Sequence, residues 1–311
     1  MRNLIEIKLE KRLLVSIVIR TLNEEKFLGE CLQAIGTQSN AYFDFEVIVV
    51  DSGSTDKTIE IAKLHGARVK YISKESFSFG RSLNRGCSFA NGDILVIISG
   101  HCIPVGNSWL ADLIEPLLRK KVNYVYGRQV GRAPHTKFSE EMIFAKFFPL
   151  ESAIPQNGYF CNNAHSALLR YVWEKYRFDE ELTGLEDMEL AKRLVSDGGT
   201  IGYNASACVE HIHEEEWPRV KIRFEREALA LRSIMPEVHV HFHDFVKFFL
   251  SATFLDVWNL GLHNFRAQQI SEIIAYRYNQ YLGTWLGNGD QRKISKEMKQ
   301  KYFYPARRDS K

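Results

Sequence analysis

Two adjacent carboxylates, Glu186 and Asp187, stand in the stretch of this chain best suited to chemistry, Thr183-Gly184-Leu185-Glu186-Asp187-Met188-Glu189-Leu190. Met188, Ala191, Leu194 and Val195 follow on one apolar face. That spacing predicts a helix over roughly 185–197 with both acids in its first turn. The positive end of the helix dipole lowers a carboxylate's pKa there, giving a still, ionised group that could serve as a general base. The position also suits an ordinary helix cap, and the octet alone leaves both readings open. Glu189 reads as solvated helix surface. Histidines supply the second cluster. Glu210-His211-Ile212-His213 follows an apolar run at 201–209, and strand alternation puts His211 and His213 on one side. Imidazoles so placed can share a divalent ion, donate hydrogen bonds to a phosphate, or simply pack. His239, His241 and His243 repeat the spacing in a context the sequence leaves unclear.

The elements that must position these groups are visible as apolar runs. Residues 13–19, 45–50, 69–72 and 93–98 read as buried strands, with helices over roughly 24–38 and 59–66. Further on, 109–118 reads as a helix, 124–131 as a strand, 133–160 as helix and loop, 164–170 as a strand and 171–176 as a helix. From Trp217 onward the pattern is mostly helical. Short apolar strands alternating with amphipathic helices imply an α/β fold with a mostly parallel sheet covered on both faces. In such sheets the ligand crevice lies beyond the carboxyl ends of the strands, where the polar clusters 20–25 and 51–56 fall. Asp51 closes a buried strand, so a fixed backbone can aim its carboxylate into the crevice. Asp51 or Ser54 could equally cap the following helix. Arg81 and Asn84 open a helix after Gly80, which reads as a hinge; a guanidinium there could meet a pyrophosphate or remain on the surface.

Composition closes off several classes. The 311 residues allow one large core with a C-terminal extension, and 45% hydrophobic with 25% charged residues is ordinary for a globular chain. Forty-one basic against 38 acidic residues give +3, too little for a nucleic-acid partner. No apolar run is long enough to span a membrane and no signal-type stretch follows the first residues, so a cytoplasmic location is expected. Cys31, Cys87, Cys102, Cys161 and Cys208 are scattered without ligand spacing, which fits reduced thiols. The turn at 20–25 holds neither glycine nor a free-standing activating lysine loop, and no GxGxxG follows the first strand, against nucleotidyltransferase and dinucleotide-binding chemistry.

Three strings together, Val15-Ser16-Ile17-Val18-Ile19-Arg20-Thr21-Leu22-Asn23-Glu24, Val49-Val50-Asp51-Ser52-Gly53-Ser54-Thr55-Asp56 and Gly184-Leu185-Glu186-Asp187, resemble the family 2 inverting glycosyltransferases over roughly 13–235. The stretch from Phe77 to Asn84 is similar to members that build bacterial surface polysaccharides, rhamnosyltransferases among them. The resemblance implies a GT-A fold: a Rossmann-like, mostly parallel α/β sheet flanked by helices, over 1–235, with a helical extension and basic tail over 236–311. It implies transfer of a sugar from a nucleotide-diphosphate donor to a hydroxyl of a saccharide or lipid-linked glycan, with Asp187 as base and Glu186 orienting hydroxyls or holding the loop. Asp51, Thr21, Asn23 and Glu24 would surround base and ribose. Asn162 and Asn163 would line the donor–acceptor junction, though either amide could instead close a turn.

Two departures from the family pattern matter. Arg20 stands where members usually carry proline. Ser99-Gly100-His101 occupies the place of an Asp-x-Asp metal motif. Either His101 takes over the aspartate's work beside His211 or His213, holding Mn²⁺ or Mg²⁺ with imidazole favouring Mn²⁺, or transfer is metal-independent. UDP sugars are the first expectation and dTDP-rhamnose the next; a non-catalytic sugar- or nucleotide-binding module is the competing class. Dense aromatic residues from Trp217 to Trp285 predict helix packing, a homodimer interface, or peripheral contact with the inner face of the membrane. In the last case Lys293, Lys296, Lys299, Lys301, Arg307, Arg308 and Lys311 would meet anionic headgroups.

Overall fold

A computed structural model describes residues 12–38, 43–261, 267–289 and 302–303. The seven basic tail residues just named, and the basic segment before Arg12, lie outside the described residues. The strands are β1 (Leu13–Thr21), β2 (Phe43–Asp51), β3 (Arg68–Tyr71), β4 (Ile94–Ser99), β5 (Cys102–Pro104), β6 (Tyr124–Val130), β7 (His165–Leu169) and β8 (Ile201–His211); all but the three-residue β5 fall on the expected runs. They make one sheet in the order β3-β2-β1-β4-β7-β6-β8-β5. Pairing is parallel between β3, β2, β1 and β4 and between β6 and β8, and antiparallel where β7 and β5 enter.

Both faces of this sheet are covered, which is why its strands read as continuous apolar runs rather than alternating ones. Val15, Ile17 and Ile19 of β1 pack on one side with α1 (Leu28–Gly36) and α4 (Trp109–Leu118). Val18, with Ile48 and Val50 of β2, packs on the other with α3 (Phe79–Phe89), α6 (Arg170–Tyr176) and α7 (Glu186–Ser196). A short α2 (Thr58–Leu64) links β2 to β3, and α5 (Phe138–Phe147) follows β6. The first helix starts at Leu28 rather than near Glu24. Asn23 adopts a left-handed φ of 56°, and the N–H groups of Asn23 and Glu24 are held by Ser54 and Thr58 across the crevice. These bonds fix 23–27 as a turn.

Three further helices follow: α8 (Trp217–Ile234), α9 (Phe242–Leu260) and α10 (Ala267–Asn288). Gly283 and Gly287 let α10 lie directly on α8. A Cβ at Gly283 would stand 2.3 Å from the Lys221 carbonyl oxygen, and one at Gly287 2.1 Å from that of Glu225. The expected boundary at 235/236 falls between α8 and α9, yet α10 returns across it. Gln280 and Thr284 on α10 reach the same cleft as the strand ends.

Candidate active site

Beyond the ends of β1 and β4 lies a cleft of about 690 Å³, walled on its far side by α7, α8 and α10. Thr21, Glu24, Ser99, His101, Asn162, Asn163, Glu186, Asp187, His211 and His213 all line it. Strand pairing assembles the histidines. Cys102 of β5 pairs with His211 of β8, and the Ile212 N–H donates to the His101 carbonyl at 3.2 Å, drawing the end of β4 beside the end of β8. Sequence spacing suggested His101 with one of the other two; the fold brings all three together, with ring nitrogens within 4.8 Å of one another.

Each of these rings is oriented from behind. The Nδ1 of His101 lies 3.0 Å from Glu24 Oε1, that of His211 2.7 Å from Gln129 Oε1, and that of His213 2.7 Å from Glu140 Oε1. An oxygen acceptor at Nδ1 assigns the proton there and leaves the Nε2 lone pair for a shared ligand. Burial, with His213 and His101 alongside, holds the His211 pKa well below the ordinary value, so it stays neutral and able to ligate. Burial works against charge on His101 too, but the Glu24 carboxylate outweighs it and the net shift is upward. Glu140 is buried, which disfavours its charge, but Arg223 and His213 outweigh that and hold its carboxyl well below the usual range. Three imidazoles backed by oxygen acceptors fit a divalent transition ion such as Mn²⁺ and suit oxygen-preferring Mg²⁺ poorly.

Opposite the histidines, α7 presents its two acids. Leu185 precedes the helix in the left-handed conformation, with φ 56° and no side-chain cap. Asp187 Oδ2 accepts from the Asn163 N–H at 2.7 Å, and Oδ1 from the Met188 N–H at 2.7 Å. Glu186 Oε1 lies 3.4 Å from Arg20 Nη1. The helix start was expected to lower the Asp187 pKa. Instead burial, followed by the Glu186 charge, pushes it up to about 7, and the two backbone N–H bonds offset only part of this. Desolvation dominates the dipole when the first turn is inside the protein.

Several expected ligands are committed to structure. Asp51 is fully buried; Oδ1 accepts from the Gly53 and Ser54 N–H groups at 2.9 Å, and Oδ2 from the hydroxyls of Thr21 and Ser54. Four donors fill the acceptor sites of a carboxylate. Asp51 thus shapes the loop after β2, and the nucleobase contact expected of it would need one of these donors to give way. Asn23 Oδ1 accepts from the Thr55 N–H at 2.8 Å, and Gly100 packs against Glu24 and Thr21; neither lines the cleft. Arg81 pairs with Glu180 at 2.7 Å, while Asn84 bridges Phe178, Glu180 and Trp173. Both fasten α3 to the 177–181 loop instead of reaching a pyrophosphate. Gly80 is a contact point rather than a hinge: a Cβ there would stand 1.9 Å from the Asp179 carbonyl oxygen.

The two asparagines keep a foot in each expected role. Asn162 Oδ1 accepts from the Ala164 N–H, which closes a turn, and from Gln129 Nε2, which joins it to His211. Asn163 Oδ1 accepts from Tyr124 and Ser166, while its buried Nδ2 has no hydrogen-bond partner among the described residues. The His239–His241–His243 rings stack along the entry to α9, where Asp244 accepts from the His241 N–H. Gln129 lines the cleft, as expected of the segment around it, whereas sequence reasoning missed Phe79, Arg223 and Arg226, which line it too. Only the last two carried a signal, as an i, i+3 pair on one helix face.

An open α/β sheet whose polar loops gather beyond its strand ends is a nucleotide-binding architecture. The chain belongs to glycosyl transferase family 2, a family of inverting enzymes, whose model matches residues 16–177. It is similar to the O-antigen chain rhamnosyltransferases WbaN of Salmonella anatum, 29% identical over 54% of this chain and 56% of the relative, and RfbN of Salmonella typhimurium, 26% identical over 64% and 66%. The match to WbaN thus spans little more than half the length of that relative. Two solved structures share the fold. One is the Mycobacterium tuberculosis glucosyl-3-phosphoglycerate synthase with Mn²⁺, UDP and glucosyl-3-phosphoglycerate (23% identity, TM-score 0.53, covering 72% of this chain and 80% of that one). The other is the Pyrobaculum calidifontis mannosyltransferase PcManGT with GDP-Man and Mn²⁺ (17%, 0.59, 89% and 86%).

Proposed function

We propose that this chain transfers a sugar from a nucleoside-diphosphate donor to a hydroxyl of a saccharide or lipid-linked glycan in surface-polysaccharide synthesis, with Asp187 as general base. One observation carries the reading: a buried carboxylate titrating near neutrality faces the same cleft as an oriented set of imidazoles. As the acceptor oxygen attacks the anomeric carbon, its proton passes to Asp187, and the bond to the donor phosphate breaks on the opposite face. Asp187 acts only when ionised, so turnover rises with pH through its pKa. Glu186, anchored toward Arg20, raises that pKa. His101, His211 and His213 would hold a divalent ion, which supplies positive charge for the departing diphosphate. Thr21, Glu24 and Ser52 offer hydrogen-bonding groups to the nucleotide on the rim.

UDP sugars are the first donors to test. The two rhamnosyltransferase relatives favour dTDP-rhamnose as the second. The transferase unit is assigned to 1–235 and a helical extension to 236–311, with Gln280 and Thr284 of the extension adding to the cleft wall. Among the described residues no helix is long and apolar enough to cross a membrane. The outer face of α9 exposes Val246, Leu250, Phe254, Leu255 and Trp258. Among the charged residues of α9 beside that face, Lys247 is exposed while Asp256 is buried against Arg277. An apolar face bordered by a cation suits a lipid surface, and flotation with anionic vesicles tests it; a stable dimer without vesicle binding would assign the face to self-association instead.

The decisive experiment screens nucleotide sugars for thermal protection and for release of nucleoside diphosphate. Asp187→Asn is expected to keep donor binding and lose roughly 10²–10⁴-fold in turnover. Near-normal turnover in that variant would remove Asp187 from the mechanism.

A further inference from the structure

We propose that Arg20 and Arg226, both held against the ring of Phe79, form an oxyanion-binding subsite of the cleft that takes a phosphate group of a bound substrate. The identity of the substrate rests on the transfer reading above; the chemistry of the subsite does not. Arg20 leaves the sheet near the end of β1 and Arg226 comes from the middle of α8. Their guanidinium carbons nevertheless lie 4.7 and 4.5 Å from the centroid of the same ring, and both side chains line the same cleft. Like charges gathered on one small apolar surface repel each other, and the ring's quadrupole offsets only part of that repulsion.

Each guanidinium also keeps a buried nitrogen unused. Arg20 Nη1 and Arg226 Nε have no hydrogen-bond partner among the described residues. Arg20 Nη1 has Glu186 Oε1 at 3.4 Å, close enough for attraction but without hydrogen-bond geometry. Burial works against the charge on Arg226, and Glu227, Glu215 and Glu186 restore only part of it. Buried, unpaired donors on paired cations are the complement of an oxyanion, and the planar guanidinium matches phosphate geometry. A sugar hydroxyl could accept a hydrogen bond here but would bring no negative charge to the two guanidinium groups.

The phosphate has two possible sources, the donor's diphosphate or a phosphate carried by the acceptor. Arg20 and Arg226 both feel the charge of Glu186, next to the proposed base. That placement favours the acceptor.

The test titrates methyl phosphate against thermal unfolding, with and without saturating UDP, in the full chain. The expected result is protection of the wild type that persists with UDP bound. Arg20→Met and Arg226→Met, which keep an apolar stem on Phe79, should each weaken that protection by roughly tenfold or more, the loss of one charge-assisted bond, and leave UDP affinity unchanged. Competition between methyl phosphate and UDP, with UDP affinity falling in the same variants, would assign the subsite to the donor's phosphate. Arg20→Lys should restore part of the binding. If either methionine variant fails to fold, Phe79→Leu removes the ring, keeps both charges, and should weaken phosphate in the same direction. Equal protection of wild type and variants, or none in any of them, overturns the subsite. A failure of the transfer reading would show separately, as absent donor turnover with the methyl phosphate result intact.

Discussion

Replacing Glu186 by glutamine removes the charge that, after burial itself, contributes most to raising Asp187. The variant keeps the size of the side chain and its place at the start of α7. For two carboxylates on the order of 6 Å apart, an effective dielectric of about 20 gives roughly 2.8 kcal/mol, about two pH units. Arg20 sits 3.4 Å from Glu186 and already offsets part of that repulsion. The expected net fall is therefore about one unit or slightly more. Because the base works ionised, the acid limb of kcat/KM should move down with the pKa. For a single essential base, the ratio of kcat/KM at pH 6 to that at pH 8 is about 0.1 with a limb near 7 and about 0.5 with a limb near 6. Initial rates of nucleoside diphosphate release across pH 5–9 give both ratios, and the comparison is insensitive to any uniform loss of activity. A limb that stays near 7, or rises, would show that Glu186 does not set the protonation of the base.

Three other perturbations address the rest of the site. Chelation is expected to inactivate the enzyme, and Glu140→Gln to weaken Mn²⁺ affinity by calorimetry about 10–100-fold by releasing the His213 ring. His101→Ala should cost at least as much and His101→Asp restore part of it; unchanged affinity in both would exclude the imidazole site. Asp51→Ala leaves four donors without their acceptor and should destabilise the fold by about 3 kcal/mol or more. A loss of nucleotide binding without a measurable change in denaturant midpoint would instead return Asp51 to the base-contacting role. Gly287→Ala forces α10 off α8 and should cost about 1–3 kcal/mol; an unaltered melting temperature would contradict the close approach.

The sheet was legible because its longer strands are apolar on both faces and end in polar clusters, so their positions and the crevice followed from pattern, whereas the three-residue β5 and the start of α1 did not. The approach of His211 and His213 was legible for the same reason, since period-two alternation needs no tertiary information. The surroundings of Asp51 were not legible because they are set by side chains. Whether the loop after β2 turns four donors inward depends on how Thr21, Gly53 and Ser54 pack, and no spacing encodes that. Asp187 was misread by sign. The dipole is a local property, whereas the burial that outweighs it comes from the interior in which the first turn of α7 is packed. Phe79 and Arg226 come from two separate helices and meet only in the fold.

The glycine contact between α8 and α10 has a bearing on how the protein is made. Arg223 and Arg226 sit on α8, and the wall behind them includes Gln280 and Thr284, while Gly283 and Gly287 dock that wall. During synthesis the sheet, the three imidazoles and both acids leave the ribosome well before α10 does. A nascent chain at that stage holds its reactive groups but leaves the cleft open on one side, with α8 lacking the surface that fixes it. Closure of the cleft is thus tied to a helix that emerges after all of these groups, and a chain broken inside α10 would retain its acids and imidazoles without that wall.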